Sequence, residues 1–351
     1  MEHLTPTPPD RIHPSAIIHP RCRILGADTS IGPDCEIGAE GPVTLKNCQL
    51  GEGVTVRGGY LENATLLDGV DCGSGTHIRP GTLLEEYASI AHTDGLKQTI
   101  LMPYVTMGSL INFCDVLMAG GTGKTNHSEV GSSYIHFNFT PHQDKATASL
   151  VGDVPRGVLI NQKPIFLGGQ GGLVGPTRIA YGTVVAAGLI VRKDIETPNQ
   201  LVMSTGSSPN LVMRPYNTEV FSHLDRIIAN NLLYIGNLRA LRLWYRHVRM
   251  PFLTATPWGK ACFDGALARL DEGLDERLKR LAQLCEKASL TTIDFDALKH
   301  ILDEDLPPPA SVVTALPLDK PYLDAIRSLS SQTQTDITAW LQSAVEMCVV
   351  R

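Results

Sequence analysis

The sequence predicts a β-solenoid, a parallel β-helix of hexapeptide repeats, followed by an α-helical C-terminal extension. Three observations carry this expectation. Ile78, Leu84, Ile90 and Leu96 recur every six residues, and Leu167, Leu173, Ile179, Val185 and Val191 repeat the beat without a slip. An α-helix spaces apolar residues by threes and fours and a half-buried strand alternates them, so neither gives a beat of six. Turn-forming residues surround such plugs, as in Ile31-Gly32-Pro33-Asp34-Cys35-Glu36-Ile37-Gly38, and Gly and Asn tolerate the positive φ of tight corners. Aromatic residues make up 6% of the 351 residues while glycines number 32. That suits a core of stacked Ile, Leu and Val better than a generic β-sandwich. In such an array no coil buries its apolar face until the next stacks upon it.

Residues 1–11 read as a Pro-rich leader. Ile12, Ile18 and Ile24 begin the repeat, and one inserted residue shifts the frame to Ile31, Ile37 and Val43. Leu50 and Val56 continue it, the beat turns strict at Ile78, and after Leu96 it slips before resuming at Val105, Ile111 and Leu117. Two stretches interrupt the array, Ala119 to His127 and His136 to Ala148. Insertions in repeat arrays tend to emerge on the binding face. The array closes near Val191 to Ile195, giving a β-helix over residues 12–200 and a helical region over 201–351. There, Asn217 or Thr218 caps a helix carrying Val220, Leu224, Ile227, Ile228, Leu232, Ile235, Leu238 and Leu241, and Pro251 ends it. A second helix opens near Trp258 and runs to about Ser289; shorter ones cover Phe295 to Ile301 and Tyr322 to Val349, with Pro307-Pro308-Pro309 between them. Arg239, Arg242, Arg246 and Arg249 line one helical face, read either as a solvated, salt-bridged face or as a stripe closing over an anionic ligand or a neighbour's acidic edge.

A net charge of −6 gives no electrostatic case for nucleic acid as a partner. No apolar run reaches the roughly 18–20 residues of a membrane span, and the N-terminus lacks a signal-peptide pattern. Eight cysteines without a CxxC pair or zinc spacing point to free thiols in a reducing cytoplasm, with no metal.

The chemistry-bearing residues cluster in the interrupted region. Met118 to Thr125 ends like a phosphate-binding loop in Gly123-Lys124-Thr125, but Met118 replaces its first glycine and no strand-then-helix context surrounds it. His127 follows directly. Arg79, Lys97, Lys124 and Lys145, with Asn126 and Asn138, are suited to holding a phosphorylated, hydroxyl-rich ligand near a base.

These residues carry a resemblance. The chain is similar to the left-handed β-helix acetyltransferase domain of the bacterial bifunctional enzyme that acetylates glucosamine 1-phosphate and uridylylates the product. Ile78-Arg79-Pro80-Gly81-Thr82 resembles that family's Arg-Pro-Gly-Thr motif, whose arginine contacts the sugar phosphate. Lys97 falls where the family places a phosphate-binding lysine, and Lys145 where another is expected. Gly123-Lys124-Thr125-Asn126-His127 resembles the segment ending in the general-base histidine. Phe137-Asn138-Phe139 looks like the stretch beside acceptor and thioester, and Val185-Ala186-Ala187-Gly188 with Arg192-Lys193-Asp194 like the closing coils, where coenzyme A lies between subunits of a trimer. Val130 and Phe139 stand where the family has tyrosines, the spacing on either side of His127 differs, and no nucleotidyltransferase domain precedes residue 12, so uridylyl transfer and magnesium are not expected.

The resemblance implies an acyl-CoA-dependent N-acyltransferase, with acetyl-CoA or another acyl-CoA as cosubstrate and an amino-sugar phosphate or nucleotide sugar as acceptor. His127 is the expected base; Arg79, Lys97, Asn126, Asn138 and Lys145 hold the acceptor; Phe139, Gly169, Ala187 and Gly188 line the cofactor's path. Gly168-Gly169-Gln170-Gly171-Gly172 permits close backbone approach of pantetheine, or makes tight corners only. The alternatives are a non-catalytic sugar-phosphate-binding trimer and a structural rod.

Overall fold

The structure, a computed structural model, describes residues 5–140, 144–204, 221 and 223–349. Short parallel strands stack into the expected β-helix. Face I is a ten-stranded sheet running from Ile17–Ile18 to Leu201–Val202. Faces II and III merge into one 15-stranded sheet because Gly95–Leu101 and Asn112–Met118 run across the corner between them. Residues 5–11 lie along the first coil: Pro6 bridges Leu25, and the Arg11 guanidinium donates to the Thr29 carbonyl at 2.9 Å.

Register shows why the beat is six: each sixth residue enters a column. Face I stacks Ile18, Ile37, Val56, Cys72, Ile90, Met107, Val130, Leu167, Val185 and Val202. Face III stacks Ile31, Leu50, Leu66, Leu84, Leu101, Met118, Val151 and Ile179, with Ile195 bridged to the last. The array therefore extends past Ile195 to Val202. After the slip, Met107, Phe113 and Met118 occupy the columns instead of the expected Val105, Ile111 and Leu117. Those three are buried all the same. Leu117 pairs with Ile100 and Leu150 in an outward row that the helices cover, which is why its burial imitates a plug.

The second interruption is shorter than expected, because strand Ile135–Phe137 belongs to face II. His136 takes the column position paired with Leu173, its Nε2 hydrogen-bonds Ser149 Oγ at 2.8 Å, and burial holds its imidazole down to about 4. A polar residue at a plug position hid this coil. The Met118 to Thr125 stretch is no nucleotide loop: Gly121–Gly123 and Asn126–His127 form a small antiparallel hairpin at the corner between faces III and I.

The extension comprises, after the short α1 (Val154–Gly157) within the solenoid, α2 (Leu224–Trp244), α3 (Met250–Leu253), α4 (Pro257–Lys287), α5 (Phe295–Asp303), α6 (Ala310–Ala315), α7 (Tyr322–Arg327) and α8 (Ser331–Val349). The expected cap at Asn217 or Thr218 lies outside the described residues. Pro251 does not end the first helix. A π-helical stretch, Tyr245–Arg249, carries the chain into α3, where the proline sits in a first turn that needs no N–H from it. Thr256 caps α4, its hydroxyl accepting from the Gly259 N–H at 3.0 Å with Pro257 following. The last expected helix is broken between Arg327 and Ser331.

Helices α2 and α4 lie on face III. A Cβ at Gly265 of α4 would stand 2.2 Å from Gln49 Oε1, so glycine is needed for this approach. The arginine stripe is salt-bridged at Arg242 and Arg249, as one reading had it, but buried rather than solvated at three of its four positions. Arg239, Arg242 and Arg249 are buried struts: Arg239 donates to the Ala344 carbonyl at 2.9 Å, and Arg242 to Asp271 at 2.8 Å. Arg249 lies between Glu85 and Glu86 of the solenoid, with Tyr245 donating to Glu85 at 2.7 Å. Burial, opposed by Arg249, pushes the Glu85 carboxyl up to about 7. Arg277 of α4 makes a second buried tie, to Asp115 at 3.0 Å and Gln98 at 2.9 Å. Among the described residues no helix is long and apolar enough to cross a membrane.

Candidate active site

The candidate residues fall into two groups at different corners of the prism. The first group follows face II. Arg79 leaves strand Thr76–Ile78 beside Lys97, whose register partner is Cys114. The Arg79 guanidinium reaches along the face to Cys114 Sγ at 3.2 Å, past the intervening coil. Among the described residues neither Arg79 nor Lys97 has a carboxylate within ion-pair distance. Two cations on adjacent coils, neither in a direct ion pair, make a step that an anion can neutralise.

The same face then opens into a cleft of about 860 Å³ lined by Phe137, Phe139, Val174, Ile190, Arg192, Lys193, His223 and Arg226. Phe139 is 70% exposed over it. The Arg226 guanidinium is tied to the Pro176 carbonyl at 2.8 Å, whereas Arg192 and Lys193 are exposed and lack a carboxylate partner among the described residues. An apolar wall beside free cations suits a ligand with an apolar arm and phosphates. Asn138 begins the loop between faces II and III, its Oδ1 accepting from Thr147 Oγ1 at 2.9 Å; Lys145 stands exposed on that loop with a φ of 56°. Gly169 and Gly188 adjoin at the corner between faces I and II, the Gly188 N–H donating to the Gly169 carbonyl at 2.9 Å, with Ala187 exposed beside them.

His127 belongs to the other group, on the hairpin at the corner between faces III and I. Its Nδ1 lies 2.8 Å from the Lys124 carbonyl. A carbonyl only accepts, so Nδ1 carries the proton and Nε2 presents a lone pair. Glu129 stands 3.8 Å from Nε2, placed to stabilise an imidazolium. Asn126 is used by the hairpin itself, donating to Thr122 Oγ1 at 2.8 Å. Within the chain, His127 and the face II cleft flank opposite edges of face III, and α2 and α4 cover the face between them.

Sequence reasoning missed Arg226, which enters the cleft from α2, because helix docking leaves no mark in the repeat pattern. It also missed a second cleft beside the His127 hairpin, lined by Tyr87, Tyr104, Lys124 and Arg327 among others. Tyr87 and Tyr104 stack at 5.6 Å with φ of 58° and 70°, so bulky residues at two successive positive-φ corners were the available signal.

No protein-family profile matches the chain. Two proteins described as bifunctional protein GlmU, from Pelobacter propionicus and Geotalea uraniireducens, are each 28% identical to it, over 195 and 201 residues. These alignments cover 55% and 57% of this chain but 38% and 39% of the relatives, so the chain spans well under half their length. LpxA from Acinetobacter baumannii is 15% identical, covers 53% of this chain and 68% of its own, and superposes with a TM-score of 0.18, too low to carry an argument. Parallel coils in hexapeptide register, together with the GlmU relatives, make this chain a β-solenoid similar to the hexapeptide-repeat acyltransferases.

Proposed function

We propose that this chain is an acyl-CoA-dependent N-acyltransferase for an amino sugar bearing a phosphate or nucleotide, working as a cytoplasmic homotrimer with its sites between protomers. The observation that carries the reading is His127: a histidine on an array-interrupting hairpin, its Nδ1–H engaged by a main-chain carbonyl and its Nε2 left as an acceptor. The acceptor's amine attacks the thioester carbonyl, the C–N bond forms as the C–S bond breaks, and Nε2 takes the amine proton and returns one to the departing thiolate. Products are the amide and free thiol, so no metal or second cofactor is needed. Arg79 and Lys97 hold the acceptor's phosphate in place. The acyl-CoA arm lies against Phe137, Phe139 and Val174, with Arg192 and Lys193 on its phosphates and the glycine corner of Gly169 and Gly188 passing the pantetheine.

Base and cleft meet only if a neighbour supplies one of them. Among the described residues the helices pack mainly on face III, and faces I and II carry exposed apolar residues in the later coils, Phe166, Val184 and Leu201 on one and Ile135 and Ile190 on the other. Such surfaces are suited to a symmetric interface that places His127 of one protomer over the cleft of the next. All eight cysteines are free, as fits a reducing compartment.

The test is thiol release from acetyl-CoA with glucosamine 1-phosphate and related amino-sugar phosphates and nucleotides. Turnover that falls by roughly 10²–10⁴ in a well-folded His127→Ala chain, with acyl-CoA binding retained, is the expected result. Tight acceptor binding with no thiol release from any of them would replace the enzyme by a sugar-phosphate-binding protein on the same scaffold.

A further inference from the structure

The cleft beside the His127 hairpin has a chemistry that the acyl-transfer reading does not use. It encloses about 520 Å³ between the corner of faces III and I and helix α7, lined by Asp68, Glu86, Tyr87, Tyr104, Lys124 and Arg327 together with Gly123 and Pro321–Asp324. Its charge is unbalanced at the floor. One guanidinium, that of Arg249, serves two buried carboxylates, Glu85 and Glu86, and Glu86 Oε2 has no hydrogen-bond partner. A buried carboxylate oxygen without a donor is costly, and a donor that brings positive charge would relieve it. The walls are aromatic. Tyr87 and Tyr104 stack in parallel, and Tyr322 completes the lining. At the mouth, Lys124 Nζ sits 4.1 Å from the Tyr87 ring centroid, and no carboxylate lies within ion-pair distance of it among the described residues. Arg327 is already engaged, donating to Tyr104 Oη at 2.7 Å and to the Thr122 carbonyl at 2.9 Å, so it joins α7 to the hairpin.

We propose that this cleft is a ligand site of its own, taking a small zwitterion with an ammonium at one end and a phosphate or carboxylate at the other. The ammonium goes inward towards Asp68 and Glu86, beside the stacked tyrosine pair, where the carboxylates favour a cation. The anionic end meets Lys124. An ammonium held against a carboxylate has no lone pair to attack a thioester, so the ligand is recognised here and not acylated. The site is coupled to the base through Lys124: its side chain faces the cleft while its carbonyl holds His127 Nδ1. Occupancy would therefore order the hairpin that positions the base.

The experiment is calorimetric titration of the full chain carrying Arg79→Ala and Lys97→Ala, which silences the cationic step on face II. Glucosamine 6-phosphate is the probe, with N-acetylglucosamine 6-phosphate and inorganic phosphate as controls. Saturable binding of the amine form, at least about tenfold weaker for the N-acetyl form, is expected. Adding Lys124→Ala or Tyr87→Ala, both at the surface, should weaken it by about tenfold or more. Glu86→Gln should remove the preference for the amine, and circular dichroism shows whether that buried change still folds. Equal affinity for the amine and N-acetyl probes, no binding, or binding indifferent to Lys124→Ala and Tyr87→Ala would each overturn the proposal. Because binding is read without turnover, the result stands apart from that of the acyltransferase test.

Discussion

Arg249→Met removes the guanidinium between Glu85 and Glu86 while keeping much of the side chain's apolar length. Arg249 is fully buried, bonds both carboxylates, and lies 4.1 Å from the Tyr322 ring and 4.8 Å from that of Tyr245. Removing one partner of a buried ion pair costs ~3–5 kcal/mol, because the remaining charge stays desolvated. Here two carboxylates are orphaned and the attraction of the guanidinium to both tyrosine rings disappears, which puts the expected loss at the upper end, about 5 kcal/mol. Urea unfolding followed by tryptophan fluorescence reads it directly, since Trp244 and Trp340 both sit in the helical layer that Arg249 ties to the solenoid. The sign of its pH dependence follows from Glu85. Its carboxyl is raised to about 7 in the fold, above the ordinary 4.5, so the proton it takes up stabilises the fold at low pH and that contribution is lost as pH rises through 7. Without Arg249 the carboxyl rises further. The variant's deficit should therefore be larger at about pH 8 than at about pH 5.5, and Glu85→Gln with Glu86→Gln in the same background should recover much of it. A deficit under about 1 kcal/mol, or one that grows on acidification, would refute the assignment of Arg249 as a buried tie.

Other outcomes follow from single groups. His136, held near 4 by burial, should make stability fall by up to about 1.4 kcal/mol per pH unit as pH drops from 6.5 towards 4; unfolding curves of wild type and His136→Leu should converge or cross on acidification. Gly168→Ala should cost at least about 2 kcal/mol, because the new Cβ would lie 2.4 Å from the Ala187 amide nitrogen of the next coil, and a neutral result in thermal unfolding would deny that spacing. Arg192→Glu with Lys193→Glu should raise the Kd for acetyl-CoA by about 10–100-fold by calorimetry, with less salt dependence than the wild type.

The repeat was legible because a solenoid writes its geometry into every coil: Ile78, Leu84 and Ile90 sit in their columns where the beat of six places them. It became illegible wherever something outside the coil changed what burial means. Leu117 looked like a plug because helices bury an outward row, and His136 hid a plug position because its ring is satisfied by Ser149. Arg249 read as a surface residue because nothing local announces two carboxylates 163 and 164 residues away. For the site, motif likeness named His127, Arg79 and Lys97 but could not tell that they occupy different corners. That separation depends on how many coils and faces lie between them and on a helical layer packed across one face.

The most direct measurement of a site shared between protomers is complementation. His127→Ala chains lack the proposed base but keep the cleft; Arg192→Glu, Lys193→Glu chains keep the base but lose the cleft's cations. Each is assayed for acetyl-CoA-dependent acylation alone, then after the two are mixed, dissociated and reassembled. A site needs a sound His127 from one protomer and a sound cleft from its neighbour, so random trimers of an equal mixture should recover activity at about a quarter of their sites. Activity that appears on mixing near that level is the predicted result. Two folded, reassembled variants that stay inactive together would contradict a catalytic site built across protomers.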